Sequence, residues 1–257
     1  MSGKMVFFDI DGTLLDHDKK LPVSTQQAIR NLKRVGHGVA IATGRGPFMF
    51  KELREQLEID SFVSYNGQYA VWKDKPVFQN PLQPELLQEL TEYADENEHP
   101  LVYMDVETMR SNKDYHVYIE ESISTLKVPH PAHDAEYFRG RDIYQTLVFC
   151  TIEEEPLYRE RFPNLDFIRW HPLSMDVLPL GGSKARGIEA LINQIGISKD
   201  DVYAFGDYLN DIEMLQFVGT GIAMGNSPDI VKRAAKHVTR DVSEDGILYG
   251  LKMVRLL

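Results

Sequence analysis

Two neighbouring carboxylates are the first residues whose types and spacing could do chemistry. Asp9 and Asp11 lie at the end of the apolar segment 5–10, and Gly12 follows them. Side chains alternate along an extended chain, so the two carboxylates should point the same way. Gly12 would let the chain turn sharply and let backbone N–H groups approach an anion. Two crowded carboxylates favour a hard cation such as Mg²⁺, although this short segment alone is equally compatible with a polar turn.

A second acidic segment ends the apolar stretch 202–206. It contains Asp207, Asn210 and Asp211. Asn210 or Asp211 could instead cap the following helix, but capping does not account for every acid in the segment. Carboxylates that end two parallel strands converge on one edge of a sheet, outside the carboxyl ends of its strands. The two acidic segments together therefore predict a hard-metal site at that edge.

Further polar residues could hold a phosphate group. Thr43, Gly44 and Arg45 end a second apolar segment and offer a hydroxyl and N–H groups before a helix. Thr43 could alternatively serve only as a helix cap. Lys184 opens a helix after two glycines, where a lysine could bring positive charge to a phosphate. Taken alone, Lys184 is better interpreted as a solvated surface residue.

The elements that must position these residues alternate between strand and helix at both ends of the chain. Buried strands are predicted over residues 5–10, 38–43, 62–65, 202–206 and 220–224, and helices over residues 24–35, 47–57, 184–195, 210–217 and 228–235. The middle of the chain, residues 101–179, predicts an α+β module with its sheet exposed on one face. The simplest architecture is a parallel α/β sheet interrupted by an inserted second module.

Composition excludes several classes of protein. The 257 residues carry 28 Lys+Arg and 39 Asp+Glu, a net charge of −11, and include one cysteine. Such acidity disfavours binding to nucleic acid phosphates, and a single cysteine cannot staple a disulfide-rich extracellular fold. No apolar run is long enough to span a membrane. We therefore expect a cytoplasmic protein with no nucleic acid or membrane partner; its oligomeric state stays open.

Taken together, these residues resemble the haloacid dehalogenase superfamily of phosphotransferases. The four motifs of that family match, in order, residues 9–13, Thr43, Lys184 and residues 206–211. The insertion between the second and third motifs resembles subclass IIB, the Cof-like phosphatases of sugar phosphates and other metabolites.

The resemblance also implies a fold and a division into domains. It implies an α/β fold with a Rossmann-like parallel-sheet core of residues 1–81 and 180–257. An inserted α+β cap, residues 82–179, would interrupt the core and set substrate specificity.

In this family's manner, Asp9 would attack phosphorus and form an aspartyl-phosphate. Asp11 would protonate the leaving oxygen and later activate water, which requires it to be protonated part of the time, unlike Asp9. Asp9, the backbone carbonyl of Asp11, and Asp207 would hold Mg²⁺, with Asp211 more naturally supporting these ligands than binding the metal.

The residues that the resemblance assigns to the phosphate and the rest of the substrate come from several segments. They are Ile10, Gly12, Thr43, Gly44, Arg45, Asn66, Lys184 and Asn210. The implied activity is a Mg²⁺-dependent phosphatase of small phosphorylated metabolites, with sugar phosphates as the first choice. A phosphomutase that uses the same aspartyl-phosphate, and a metabolite-binding regulator without turnover, are the alternatives.

Overall fold

Residues 3–257 are described by the computed structural model, and their contacts divide them into two units. The first unit comprises the chain up to Arg45, Phe50–Gln79 and Ser183–Leu257; the second comprises Gly46–Met49 and Asn80–Gly182. Met1 and Ser2, which begin the predicted core, lie outside the described residues. The assignment of a core and a specificity cap stays a prediction, because a division by contacts does not test what either part does.

The helices and strands are numbered in chain order. The strands are β1 (Met5–Phe8), β2 (Gly38–Ala42), β3 (Phe62–Ser64), β4 (Tyr69–Trp72), β5 (Lys75–Gln79), β6 (Leu101–Met104), β7 (Met109–Ser111), β8 (Gln145–Val148), β9 (Leu165–His171), β10 (Ser174–Pro179), β11 (Val202–Gly206), β12 (Thr220–Ala223) and β13 (His237–Val238). The helices are α1 (Val23–Arg34), α2 (Lys51–Leu57), α3 (Pro84–Glu96), α4 (Val117–Ser124), α5 (Glu155–Arg161), α6 (Lys184–Ile195), α7 (Ile212–Phe217), α8 (Asp229–Ala234) and α9 (Gly246–Met253). Within residues 3–257, every helix is too short or too polar to cross a membrane.

The first unit is built on one mixed sheet with the strand order β13-β12-β11-β1-β2-β3-β4-β5. The strands from β13 to β3 run parallel, and β4 and β5 continue the sheet as an antiparallel meander. The predicted parallel α/β sheet is thus confirmed. Because β11, β1 and β2 are neighbours in this order, the segments that follow them emerge side by side.

Both faces of the central strands are covered, which explains why their sequences are apolar throughout. Phe7 and Ala204 present one face to a cluster that includes Ile188 of α6 and Met214 of α7. On the opposite face the Phe8 ring stacks on the Phe205 ring, with centroids 5.1 Å apart. In a parallel sheet covered on both faces the strands are near-continuous apolar runs, and here the polar segments begin where those runs end.

The second unit contains a five-stranded sheet of order β7-β6-β8-β10-β9 in which every pairing is antiparallel. One face packs against α3 and α5 through residues such as Leu90 and Tyr158. The prediction that the other face is exposed is wrong, because Val102, Leu147 and Asp176, which alternate with the packed residues, are buried as well.

Asp176 is an unusual residue to find in the middle of such a sheet. It pairs with Leu147 on one side and Ile168 on the other, and it is 9% exposed. Burial raises the pKa of Asp176 from 3.8 to about 8, and the neighbouring Trp170 indole offsets only part of this effect. The folded protein therefore holds a neutral carboxylic acid here at neutral pH.

This shift makes a prediction for stability as a function of pH. Between the ordinary and the raised pKa, the folded chain binds one proton more than the unfolded chain, so this group makes folding less favourable as the pH rises. Relative to the native protein, Asp176→Asn should gain up to about 1.4 kcal/mol in the free energy of unfolding for each pH unit from about pH 5 to about pH 8. Urea denaturation across this range measures the gain. The exposed Asp142→Asn is the control, and parallel pH curves for Asp176→Asn and native protein would contradict the prediction.

Candidate active site

The polar segments identified in the sequence meet at the carboxyl ends of three neighbouring strands. Asp9 follows β1 directly, and its N–H donates to the carbonyl of Phe205 in β11, 3.0 Å away. Thr43 follows β2, and Asp207 follows β11. The predicted convergence of these segments on one sheet edge is what the strand order produces.

A buried lysine lies between two of the acids. Lys184 Nζ is 2.6 Å from Oδ1 of Asp9 and 2.6 Å from Oδ1 of Asp211, and its side chain is 1% exposed. Burial alone would lower the pKa of Lys184, but the two carboxylates raise it above its ordinary value, so the ammonium stays charged. The reading of Lys184 as a solvated surface residue is wrong.

Two glycines let the helix that carries Lys184 approach this edge. α6 begins at Lys184 after its cap Ser183, beside the turn that joins β3 to β4. A Cβ on Gly67, whose φ is +100°, would lie 1.9 Å from the carbonyl oxygen of Ser183, and a Cβ on Gly187 would lie 2.7 Å from the Cα of Gly67. The position of the ammonium therefore depends on backbones that contact each other without side chains between them.

Asp207 is held by neighbours from two segments. Thr13 Oγ1 donates to its Oδ1 at 3.1 Å, and Asn226 Nδ2 lies 3.3 Å from its Oδ2. A Cβ on Gly12 would lie 2.3 Å from the same Oδ2. Residue 12 must therefore be glycine for the Asp207 carboxylate to occupy this position. Burial, followed by the charge of Asp211, raises the pKa of Asp207 to about 7.

Three carboxylates form a group that could hold a metal ion. One oxygen each from Asp9, Asp207 and Asp211 lies within 4.8 Å of the others. Burial raises the pKa of Asp9 well above its ordinary value; Lys184 opposes the shift and the neighbouring acids add to it. Three acids facing one lysine leave an excess of negative charge, and carboxylate oxygens are the donors that Mg²⁺ accepts, so this group fits such an ion.

Asp211 already uses both of its oxygens. Oδ1 accepts from Lys184, and Oδ2 accepts from the backbone N–H groups of Asp207 at 2.9 Å and Tyr208 at 3.0 Å. Asp211 therefore holds both the lysine and the loop that carries Asp207.

Asp11 lies in a different environment from Asp9. Arg45 donates from Nε to Oδ2 at 2.8 Å and from Nη2 to Oδ1 at 2.7 Å, and Lys19 Nζ donates to Oδ1 at 2.5 Å. Burial would raise the pKa of Asp11, but these two cations outweigh it and hold the pKa below its ordinary value. The expected order of protonation, with Asp11 the more protonated of the two, is therefore reversed in the structure.

The alternation argument for Asp9 and Asp11 also does not hold. β1 ends at Phe8, so both residues lie beyond the strand, in a turn in which Leu14 N–H donates to the Asp9 carbonyl at 3.2 Å. Period-two alternation applies only to extended chain, and the turn determines the direction of each side chain instead.

The residues assigned to phosphate binding lie around the end of β2. Thr43 is buried, and its Oγ1 accepts from the Arg45 N–H at 3.1 Å. Asn66 has a left-handed backbone with φ +48°, and its Oδ1 accepts from Asn210 Nδ2 at 3.1 Å. A Cβ on Gly44 would lie 2.9 Å from the Asn66 amide nitrogen, so these segments are in close contact.

Ile10 and Gly12 lie in the turn that follows β1. Ile10 is buried, and its carbonyl accepts from Leu15 N–H at 2.8 Å. The Gly12 N–H donates to the Leu15 carbonyl at 2.9 Å, so this N–H is used within the chain and is not directed at an anion. Gly12 instead provides the space that Asp207 occupies.

Two residues of this region were not identified from the sequence. Asn226 donates to the carbonyl of Gly12 at 2.9 Å and accepts from Val242 N–H at 3.0 Å, in addition to its approach to Asp207. The position of Asn226 just after β12 could have identified it as a site residue, because β12 is another parallel strand of the same sheet and its carboxyl end lies at the same edge. Lys19 offered no such signal, since a lysine in a charged loop is ordinary.

Known proteins resemble this chain over its whole length. A family model described as haloacid dehalogenase-like hydrolase matches residues 6–251. YkrA, a provisionally assigned phosphatase of Bacillus subtilis (strain 168), is 47% identical over 257 residues, which is 100% of both chains. A solved structure of a hypothetical protein from Geobacillus kaustophilus HTA426 has 56% identity and a TM-score of 0.96, covering 99% of this chain and 100% of that one. BT4131, described as a subclass IIB sugar phosphatase, has 28% identity and a TM-score of 0.86, covering 99% of this chain and 100% of that one.

The fold and the acidic strand edge, together with these matches, define an enzyme of the phosphatase class. The chain belongs to the haloacid dehalogenase-like hydrolase family. The resemblance to this superfamily and to its subclass IIB is thus confirmed, as is the fold of a parallel-rich α/β sheet accompanied by a second, antiparallel unit.

The ion pairs of Lys184 generate a prediction for stability. Lys184→Met should lower the free energy of unfolding by about 3–5 kcal/mol, because it leaves two buried carboxylates without their cation. Adding Asp211→Asn to this variant should restore part of the loss, since one of the two charges is then removed. Equilibrium urea denaturation measures both effects. The exposed Lys252→Met should stay within about 0.5 kcal/mol of the native protein; a Lys184→Met protein as stable as that control would show that the carboxylates do not need the lysine.

Proposed function

We propose that this enzyme is a Mg²⁺-dependent phosphatase that hydrolyses phosphate monoesters of small metabolites through an aspartyl-phosphate on Asp9. The observation that carries the proposal is the buried Lys184 between Asp9 and Asp211, with Asp207 beside them. A phosphate dianion approaching a carboxylate is repelled, so a nucleophilic aspartate needs fixed positive charge next to it. This edge of the sheet contains that charge and a set of acids that could recruit more.

In the proposed reaction, an oxygen of Asp9 forms a bond to phosphorus while the ester bond to the leaving oxygen breaks. Asp11 gives a proton to that leaving oxygen. Water then attacks the phosphorus of the aspartyl-phosphate, Asp11 takes a proton from the water, and inorganic phosphate leaves with the Asp9 carboxylate restored. Lys184 stays charged throughout and offsets the negative charge around Asp9.

The metal in this proposal is held by the side chains of Asp9 and Asp207 and by the backbone carbonyl of Asp11. Bound Mg²⁺ supplies positive charge to the phosphoryl oxygens. Asp211 orients Lys184 and the loop of Asp207 through the contacts of its two oxygens. Asn226 and Thr13 hold Asp207 in place from the other side.

The phosphoryl oxygens in this proposal are held mainly from the end of β2. Thr43 contributes its hydroxyl, and Gly44 its backbone N–H. Asn66 and Asn210, which already hydrogen-bond each other, close the other side of this binding region. Lys184 contacts the phosphoryl group from the side of Asp9 in this proposal.

Arg45 has two roles in the proposal. It holds Asp11 as a carboxylate through two hydrogen bonds, which suits the base that activates water. A substrate phosphate competes with Asp11 for the guanidinium, because planar Arg forks bind phosphate as readily as carboxylate. Transfer of Arg45 to the phosphate weakens its hold on Asp11 and allows that carboxyl to carry the proton needed in the first step.

Sugar phosphates are the substrate class that we propose first, supported by the similarity to BT4131, described as a sugar phosphatase. The inserted segment, residues 82–179, is proposed as the part that sets substrate specificity, since the motif residues lie in the first unit. Action in the cytoplasm is also part of the proposal, in keeping with a chain that has one buried cysteine.

The deciding experiment measures inorganic phosphate released from a panel of phosphorylated sugars and other metabolites. The native protein should release phosphate with Mg²⁺ and none with a chelator, and folded Asp9→Asn should release none with either. Asp142→Asn, an exposed aspartate of the second unit, is the matched control and should behave as the native protein. Phosphate moved to a second sugar hydroxyl would indicate a phosphomutase. A folded, metal-loaded protein that is inactive on the whole panel would favour a binding protein.

Asp11→Asn tests the proton-transfer role separately. It should slow turnover by about 10²–10⁴-fold, the usual contribution of a general acid or base. With a substrate whose leaving group needs no proton, the variant should still form the aspartyl-phosphate and accumulate it, because the water step lacks its base. Acid quenching followed by mass spectrometry detects the phosphorylated protein. Turnover close to the native rate would remove Asp11 from the reaction.

A further inference from the structure

Lys19 makes a contact that the proposed reaction does not yet use. The Nζ atom of Lys19 lies 2.5 Å from Oδ1 of Asp11. Lys19 is part of a polar loop and follows Asp11 by eight residues. Its backbone has φ +61°, in the left-handed region that residues with a Cβ adopt at a cost in free energy.

The loop is built to hold Lys19 in this conformation. Asp16 Oδ1 accepts from the N–H groups of Asp18 at 2.9 Å and Lys20 at 2.8 Å. The Lys19 N–H donates to the Asp16 carbonyl at 2.9 Å, and the Asp16 N–H donates to the Lys20 carbonyl at 2.9 Å. Residues 16–20 thus form a closed turn.

The turn is also fixed relative to Asp11. Residues Asp11 and Leu15 form a β-bridge, with Gly12 N–H donating to the Leu15 carbonyl at 2.9 Å. The chain therefore reverses direction directly after Asp11, and this reversal places Lys19 next to the Asp11 carboxylate. The hydrogen bonds of the turn fix the backbone position from which the Lys19 side chain extends.

The two carboxylate oxygens of Asp11 accept different numbers of hydrogen bonds from Lys19 and Arg45. Oδ1 accepts from both Lys19 Nζ and Arg45 Nη2, whereas within residues 3–257 Oδ2 accepts from Arg45 Nε alone. A carboxylate oxygen has two lone-pair sites, so Oδ2 keeps one for a proton while Oδ1 is fully used. When a substrate phosphate draws Arg45 away, Lys19 is the cation that still holds Oδ1.

We propose that Lys19 is a positioning residue for Asp11, which fixes the carboxylate through Oδ1 so that Oδ2 is the oxygen that transfers the proton. This inference rests on the proposed function of Asp11. Lys19 does not contact the phosphoryl group in this scheme and acts only through Asp11. It should therefore affect turnover more than substrate binding.

The test uses three variants of Lys19 and one matched control. Lys19→Gly removes the ammonium and suits the left-handed backbone, so its fold is preserved or stabilised. Lys19→Met removes the charge with little change in size, and Lys19→Arg retains a cation. Lys20→Met changes the adjacent, exposed lysine and should leave kcat and KM unchanged.

Lys19→Gly and Lys19→Met should lower kcat by about 10-fold to 100-fold, which is less than the loss for Asp11→Asn, with KM within about threefold of native. Lys19→Arg should recover most of the rate. In an Asp11→Asn background, Lys19→Gly should cause no further loss, because its only route to the reaction is through Asp11. A purely structural role would add its loss to that of Asp11→Asn.

Each other result has a distinct meaning. Native protein that releases phosphate alongside an equally fast Lys19→Gly overturns the Lys19 assignment and leaves the proposed function intact. Full additivity with Asp11→Asn, or a change confined to KM, also overturns it. A native protein that releases no phosphate overturns the proposed function, and the Lys19 assignment is overturned with it.

Discussion

The contact of Lys184 with Asp9 and Asp211 is the interaction on which the rest of the site depends. A buried ammonium requires nearby negative charge, and buried carboxylates require a cation, so each group is tolerable only because the others are present. The contact joins the end of β1, the start of α6 and the loop after β11, which are far apart in the sequence. Three acids around one lysine still leave negative charge in excess, and this excess is what makes the group suitable for a divalent cation.

Close backbone contacts allow this arrangement to form. Gly67 and Gly187 bring α6 against the β3–β4 turn, and Gly12 makes room for the Asp207 carboxylate. At each position a Cβ would overlap a neighbouring atom, so the glycines set the distances between charged groups. The geometry of this charged cluster therefore depends on the packing of the first unit, and small changes of volume here would move charges as well as atoms.

Asp9 and Asp11 show how two identical side chains acquire different properties two residues apart. Burial dominates at Asp9 and raises its pKa, whereas Arg45 and Lys19 dominate at Asp11 and lower its pKa. The proposed chemistry needs a proton on Asp11 and a free carboxylate at Asp9, the reverse of these two shifts, so in the proposal the arrival of substrate must change the surroundings of both groups. In the proposed reaction, the cations around Asp11 connect its protonation to the arrival of a phosphate, since both anions compete for the same guanidinium.

The amino-acid sequence by itself determined the class of fold, the family and the grouping of acids at one sheet edge. These follow from local patterns: apolar runs that form buried strands, and acids or glycines placed directly after them. Tertiary structure alone decided which charges meet. The burial of Lys184, the pairing of Asp11 with Arg45 and Lys19, the support of Asp207 by Asn226 and the covered second face of the antiparallel sheet all depend on contacts between distant segments. Burial and charge act through space over a few ångströms, so the spacing of residues along the chain does not encode them.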